Sequence, residues 1–297
     1  MLNERINMKT KFKYDTTGNW YKGNLHLHTV YSDGFLTDEQ VMARYAQEGY
    51  DFIAITDHWK AYRQNGGGAA SSILVLEGIE MDGCDEQGAN LHVLAIGVSN
   101  GLSLQKNLDA ALRAVREQGA LLVWAHPHWT GNTVPEGMRH QFHGIEIYNH
   151  SSHCEIGKGY ATAYWDTLLE NKPNFLGFAV DDAHFSPGEP FWKGGWIMVN
   201  APECSRGAIL NALFKGNFYS SQGPMFKSIQ VDNNKIRVST SPVKYIRLVG
   251  PKSFGNWIVS KGNGIKEFEI PTDWTYARLE LEDENGKCAW SNALFST

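Results

Sequence analysis

From about residue 20 to residue 220, short apolar runs alternate with stretches of helical periodicity, the pattern of successive βα units. The strand-like runs are GNLHLH, DFIAIT, ILVLEGIEM, NLHVLAIGV, ALLVWAH, HGIEIYN and NFLGFAV. A helix is predicted over TDEQVMARYAQEGY, with Thr37 as N-cap and Gln40 at the capping-box position. Two more are predicted over Ser103 to Gln118, with Leu104, Leu108, Leu112 and Val115 at core spacing, and over Ile156 to Glu170. Irregular Gly- or Pro-rich segments fall at 61–72, 129–143 and 185–195. Trp129 and Trp192 give two of them the look of lids rather than linkers.

Beyond FYSSQGP the period changes. KSIQVDNNKIRVSTS reads as a hairpin turning at Asn233 and Asn234, and strand-like runs continue at KYIRLVG, NWIVS, KEFEI, YARLELED and CAWSNALF. The expectation is an α/β domain over 18–222 followed by a small, β-sandwich-like all-β domain over 223–297.

Composition narrows the class. With 42% hydrophobic and 20% charged residues, the chain reads as an ordinary soluble globular protein. A formal net charge of -5 gives no case for a nucleic-acid polymer or an anionic membrane as partner. No apolar stretch approaches the roughly 20 residues of a membrane span, and the N-terminal MLNERINMKTKFKYDTTGNW lacks a signal-peptide core. Cys84, Cys154, Cys204 and Cys288 lie far apart with no CxxC pair, which fits reduced thiols and a cytoplasmic location. The GGG at Gly66 to Gly68 is not followed by Gly-Lys-Ser/Thr and so is no P-loop.

The histidines change the picture more. All 11 lie between His26 and His184, and the last 113 residues hold none, where even scatter would put about four. Metal-liganding side chains recur at the ends of predicted strands. His26 and His28 close the first, with Asp33 just past it, and Asp57 and His58 close the second. Glu77 and Glu80 flank a GI step, His126 closes ALLVWA, and Asp181, Asp182 and His184 close NFLGFAV. In a βα barrel those ends converge on one face. Strand alternation puts His26 and His28 on one side and Leu25 and Leu27 on the other. An HxH tripeptide alone fits two half-buried imidazoles better than a ligand pair. Its repetition with Asp and Glu has no structural reason, since such groups cost core stability unless paired or coordinated. Nitrogen and oxygen donors without thiolate suit Zn, Mn or Fe(II).

GNLHLHTVYSDG, AITDHW, GIEM, AHP and DDAH together resemble the polymerase-and-histidinol-phosphatase (PHP) family of metal-dependent phosphoesterases, over roughly residues 20–220 and in family order. The resemblance implies a distorted (β/α)7 barrel around two or three divalent ions. It implies one ion on His26, His28, Glu80 and Asp182, a second on His92 and His126 with Glu80 bridging, and a third on Asp33, His58 and His184. Asp181 stands where the family pattern has serine, as a neighbour of a ligand histidine or an influence on substrate choice. The FYSSQGP segment and β tail resemble a branch that includes carbamate-ester hydrolases.

The activity expected is hydrolysis of a small-molecule phosphomonoester or phosphodiester by a metal-bridging hydroxide. A carboxyl- or carbamate-ester hydrolase, or a non-catalytic metal-stabilised scaffold, is the alternative. His58, Asp182 and His184 are the catalytic candidates, and Asp57 is expected to orient a ligand histidine. His128, His153, Lys60 and Arg63 are the candidate substrate contacts, with Arg139 and Lys193 as further anion-binding candidates. His150 shares the loop of His153; His140 and His143 are expected in loops, and Trp59, Trp129 and Trp192 could stack on a substrate ring. Homo-oligomerisation stays open.

Overall fold

The computed structural model describes residues 14–62, 73–99, 102, 104–232, 235–260, 264–269 and 273–296. Arg63, Gly66 to Gly68, Ser103, Asn233 and Asn234 lie outside the described residues. In chain order the first elements are β1 (Asn19–Asn24), α1 (Asp38–Gln47), β2 (Phe52–Ile55), β3 (Leu74–Cys84) and β4 (Asn90–Ile96). Next come α2 (Leu108–Glu117), β5 (Leu121–Trp124), α3 (Pro127–Thr130), α4 (Val134–Met138) and β6 (Gly144–Asn149). Then follow α5 (His150–Ile156), α6 (Thr162–Asn171), β7 (Leu176–Val180), β8 (Trp196–Ala201), α7 (Arg206–Phe214) and β9 (Phe218–Ser221). The remainder is strand: β10 (Phe226–Asp232), β11 (Lys235–Thr240), β12 (Tyr245–Val249), β13 (Gly255–Val259), β14 (Lys266–Glu269), β15 (Tyr276–Glu282), β16 (Cys288–Ser291) and β17 (Phe295–Ser296).

The chain is mixed α/β around one long sheet in the order β13-β12-β15-β16-β9-β8-β1-β2-β3-β4-β5-β6-β7. Parallel pairs run β1–β2–β3 and β5–β6–β7, while β4 is antiparallel to both its neighbours. Regular βα alternation therefore breaks at β3–β4. Asp85 makes that turn tight, its Oδ1 accepting from the amides of Gln87 and Ala89 at 2.9 Å. Past their assigned strands, β1 and β7 meet again. His28 N donates to Ala183 O and Asp182 N donates to His26 O, both at 3.0 Å, and Leu27 bridges Ala183. The far ends of the β1–β7 run are thus drawn together at one edge, and the candidate site lies there. A separate sheet, β10-β11-β14, packs its buried face with β12 and β15. β16 pairs antiparallel with β9, so the C-terminal strands continue the main sheet.

Helix α1 starts at Thr37 with the reciprocal capping box that its sequence predicts. α2 begins at Leu108 under an Asn107 cap, later than Leu104 would suggest, and buries Leu108, Leu112 and Val115. The helix predicted from Ile156 to Glu170 is two. Gly157, at φ 74°, stops α5 with a left-handed cap, and α6 starts afresh at Thr162. β8 and α7 carry no signal in the alternation pattern. β8 opens inside a Gly-rich run, and α7 is apolar on most sides. No helix among the described residues is long and apolar enough to cross a membrane.

Candidate metal centre

His26 and His28 emerge at the end of β1 with Leu25 and Leu27 turned into two apolar clusters at 1% and 0% exposure. The two imidazoles, on the other side of the strand, face Glu80 and Asp182. His58 follows β2, His126 follows β5, and Asp182 and His184 follow β7. Glu80 lies within β3 and His92 near the start of the antiparallel β4, where Glu80 pairs with Leu94 and His92 with Asp82, so the two sit two positions apart in register. Chain residues 26 to 184 meet here because parallel strands end on one side.

Glu80 organises the group. Its Oε2 lies 3.0 Å from His26 Nε2, 3.2 Å from His28 Nε2 and 3.5 Å from His58 Nε2. Its Oε1 lies 2.8 Å from His92 Nδ1 and 3.2 Å from His126 Nε2. Each oxygen thus serves a different set of imidazoles, which is what a bridging carboxylate needs. Asp182 Oδ1 sits 3.2 Å from both His26 Nε2 and His28 Nε2, and these two nitrogens are 3.1 Å apart. Asp33 Oδ2 approaches His184 Nε2 at 3.3 Å and His58 Nε2 at 3.6 Å, with Oδ1 3.3 Å from His28 Nδ1. All nine residues of the implied ligand sets are therefore gathered in one place.

The donors fit divalent ions. His26 Nε2, His28 Nε2, Glu80 Oε2 and Asp182 Oδ1 are separated by 3.0–3.2 Å along five edges. Four donors held about 2.0–2.1 Å from one tetrahedral ion would be about 3.3 Å apart. Two imidazole nitrogens facing each other at 3.1 Å need a proton or a cation between them. Four overlapping groups, each able to hold an ion, follow: His28, Asp33, His58, His184; His26, His28, Asp182; His26, Glu80, His126; and His58, Glu80, His92.

The electrostatics point the same way. Burial opposes charging His26, yet Asp182, Glu80 and Glu146 outweigh it and hold its pKa well above the ordinary value. His28 is raised likewise, against burial, by Asp182, Asp33 and Glu80. Glu80 and Asp182 are held well below the usual carboxylate range despite their burial, with His26 the largest opposing influence on each. Protons stand in here for positive charge that buried carboxylates demand.

Backbone strain collects at the same place. Of six non-glycine residues at positive φ among those described, Trp59 (58°), His126 (23°) and Asp182 (56°) adjoin or belong to the cluster.

Several supporting residues carry no motif. Glu146 on β6 is buried behind His26, its Oε1 2.7 Å from Nδ1 and its Oε2 accepting from His126 N at 2.8 Å. Asn149 Nδ2 donates to Glu146 Oε2 at 2.9 Å and to Asp182 Oδ2 at 3.1 Å. Asp82 Oδ1 lies 2.9 Å from His58 Nδ1, and His58 holds its carboxyl below the ordinary value. An acid inside the apolar strand GIEIYN was the available signal for Glu146.

Other expectations are corrected. Asp57 contacts no histidine directly; it accepts from Thr29 N at 2.8 Å, Thr29 Oγ1 at 2.6 Å and Ser32 Oγ at 2.6 Å, fixing the loop that presents Asp33 and reaching His28 Nδ1 only through Ser32 Oγ at 3.4 Å. Asp181 touches no ligand candidate. It accepts from Asn24 Nδ2, Tyr45 Oη and the amides of Lys193, Gly194 and Gly195 at 2.6–3.0 Å, tying three segments together. Glu77 pairs with Arg206 at 2.7 Å outside the centre.

The cavity over the cluster is about 270 Å³ and is lined by Asp33, His58, Glu80, His92, His126, Trp129, Ser151, Ser152, Glu155, Asp182, His184, Ser186 and Glu189. His128 lies outside that lining, its Nδ1 3.1 Å from Tyr160 O, and His153 packs against Tyr148 and Tyr160. Lys60 donates to Tyr31 O, and Lys193 pairs with Glu48 at 3.0 Å. Arg139 and His140 pair with Asp85 elsewhere, and His143 Nδ1 accepts from Leu122 N at 3.0 Å. Trp192 packs against Tyr45 and Phe185.

Comparison with known proteins agrees on the fold. A crystal structure of a two-domain protein containing a predicted PHP-like metal-dependent phosphoesterase, from Bacteroides vulgatus, matches 96% of this chain and 98% of its own at a TM-score of 0.54 and 17% identity. The chain thus resembles PHP-like metal-dependent phosphoesterases in fold as well as in motif. An amidohydrolase from Chromobacterium violaceum matches 66% of this chain and 96% of its own at a TM-score of 0.42 and 15% identity. In sequence, 84 residues are 37% identical to a phosphoribosyl 1,2-cyclic phosphate 1,2-diphosphodiesterase from Eggerthella lenta, covering 26% of this chain and 31% of that protein. No family model matches the chain.

Proposed function

We propose that this chain is a metal-dependent hydrolase of small-molecule phosphoesters. The observation that carries the reading is Glu80, whose two oxygens divide between His26, His28 and His58 on one side and His92 and His126 on the other. A carboxylate so placed suits two or three ions sharing one cavity. His26, His28 and Asp182 would complete one ion's set, His92 and His126 a second, and Asp33, His58 and His184 a third, with Zn, Mn or Fe as the metal. Bound divalent ions would supply a water acidic enough to give hydroxide near neutral pH and positive charge opposite the phosphate oxygens.

The chain's own residues do the rest. Glu146 accepts from His26 Nδ1 and so leaves Nε2 facing the carboxylates. Asp82 does the same for His58. Asp57 fixes the Thr29–Ser32 loop so that Asp33 is held over the cavity. Where only the first two ion sets are filled, His58 and His184, each about a quarter exposed at the cavity, would be free to pass a proton to a leaving oxygen. The diesterase likeness over 84 residues supports a diester among the substrates. We further infer that β1–β7 form the distorted (β/α)7 barrel of the class, supported by the Leu27–Ala183 bridge, with residues 223–297 as a small β unit joined to it through the β9–β16 pairing.

The test is purified protein loaded with Mn or Zn and offered a panel of phosphomonoesters and phosphodiesters beside aryl and carbamate esters. Hydrolysis of a phosphoester that is lost in Asp182→Asn supports the reading. Turnover confined to carboxyl or carbamate esters, or no turnover at all, overturns it.

A further inference from the structure

Strand β6 does not keep a regular alternation. Glu146 pairs with Phe178 and Tyr148 with Ala179, so two steps along β6 answer one step along β7. One extra residue stands in β6 at that point, a β-bulge, which is rare between parallel strands. Ile147 and Tyr148, consecutive in the chain, both enter the apolar cluster that holds Trp124 and Trp165. In a regular strand Glu146 and Asn149, three positions apart, would lie on opposite faces. The bulge turns Asn149 to the face of Glu146, where Glu146 meets His26 and Asn149 meets Asp182.

Asn149 is fully buried, and its amide can point only one way. The main-chain N–H of Ser152 donates to Asn149 Oδ1 at 2.9 Å, and an N–H cannot face the amide's own donors. Nδ2 therefore faces the acids, donating to Glu146 Oε2 at 2.9 Å and to Asp182 Oδ2 at 3.1 Å. Ser151 Oγ donates to Asp182 O at 2.7 Å, so one short segment holds Asp182 by main chain and side chain, at a φ of 56°. The two oxygens of Asp182 are thereby made unequal. Oδ1 lies 3.2 Å from both His26 Nε2 and His28 Nε2, while Oδ2, engaged by Asn149, stays 3.8 Å from His126 Nε2. Glu80 divides its oxygens between two sets of imidazoles. Asp182 is kept to one.

We propose that Asn149 is a positioning residue for Asp182. Carried round by the β6 bulge, it occupies Oδ2 and so limits Asp182 to binding a metal ion through Oδ1, on the His26–His28 side of the centre. The inference rests on the metal centre of the phosphoesterase reading and does not require turnover.

Asn149 also caps α5 through the Ser152 bond, and two substitutions separate that duty from the one proposed. Ser and Asp cap a helix about as well as Asn, but neither carries an amide NH2. Asn149→Ser is expected to weaken manganese binding about 10–100-fold by calorimetry, the usual cost of losing a group that supports a metal ligand. With cobalt(II) as the probe, the visible absorption of Asn149→Ser and of Asn149→Asp should each differ from that of the wild type, because ligand-field bands follow how Asp182 is attached. A residue that only caps the helix moves neither readout. Wild-type manganese affinity in Asn149→Ser, or a wild-type cobalt spectrum in either variant, would overturn the proposal. If Asn149→Ser does not fold, the cobalt spectrum of Asn149→Asp, the closer match in size, decides alone. Altered variants in a protein that binds metal but hydrolyses no phosphoester sink the phosphoesterase reading and leave the role of Asn149 standing. Unaltered variants in a protein that does hydrolyse one sink only that role, and a wild type that binds no metal sinks both.

Discussion

Glu146 stands directly behind His26, its Oε1 2.7 Å from the ring's Nδ1, with both side chains fully buried. The pair decides which nitrogen His26 offers to the cavity. Removing such a partner from a ligand histidine typically weakens metal affinity 10–100-fold. Glu146→Ala is expected to lose about that much in manganese or zinc affinity by calorimetry. Glu146→Gln, which keeps an acceptor, is expected to lose less. Equal and small losses in both would show that the contact does not set the ring's role.

Metal itself should stabilise the fold, because Glu80 and Asp182 are buried carboxylates whose compensation in its absence comes from protonated imidazoles. Adding Mn or Zn at about 100 times its Kd should contribute about 2.7 kcal/mol, read as a rise in Tm that a chelator reverses. Glu80→Gln should abolish most of that rise, since Glu80 faces five histidines. A Tm indifferent to metal would speak against the centre.

A pH effect is expected from His150, away from the metal cluster. Burial, then His153 and Lys287, push its pKa down to about 4, against about 6.5 in an unfolded chain. As pH falls below about 6.5 the unfolded chain takes up a proton that the folded protein refuses until about 4. Stability from this group is therefore full above that window and lost on acidification through it. His150→Gln should flatten the slope of Tm against pH between about 6.5 and 4 relative to the wild type; an unchanged slope would remove His150 from the account.

Arg278 on β15 is 2% exposed and clasps Asp166 on α6 with bonds of 2.8 and 2.9 Å. Asp166→Ala leaves the guanidinium with Glu280 alone at 3.1 Å. A loss of about 2 kcal/mol in urea unfolding is expected, below the cost of breaking a fully buried pair, because Asp166 is about a third exposed and the Trp165 ring still faces the guanidinium. Asp166→Ala with Arg278→Met should recover part of it, because the stranded charge is gone.

The strands and the ligand candidates were legible in the sequence for local reasons. β5 and β7 are uninterrupted apolar runs, α1 carries its own capping box, and His26 and His28 are two apart in an extended segment, so they must share a side. The break in the helix expected from Ile156 onward was written in Gly157, but only its left-handed φ of 74° made it a stop.

What the order of residues determined, then, was which side chains could hold a cation and on which face of their strand each lies, because alternation is a property of the local backbone. Tertiary structure decided their partners. Asp57 holds a loop rather than a histidine, Asp181 ties β1 to the Gly194–Gly195 turn, and Glu146 and Asp82 stand behind rings 120 and 24 residues away in the chain. Such pairings depend on how strands curl and register against one another, and no window of neighbouring residues contains that information.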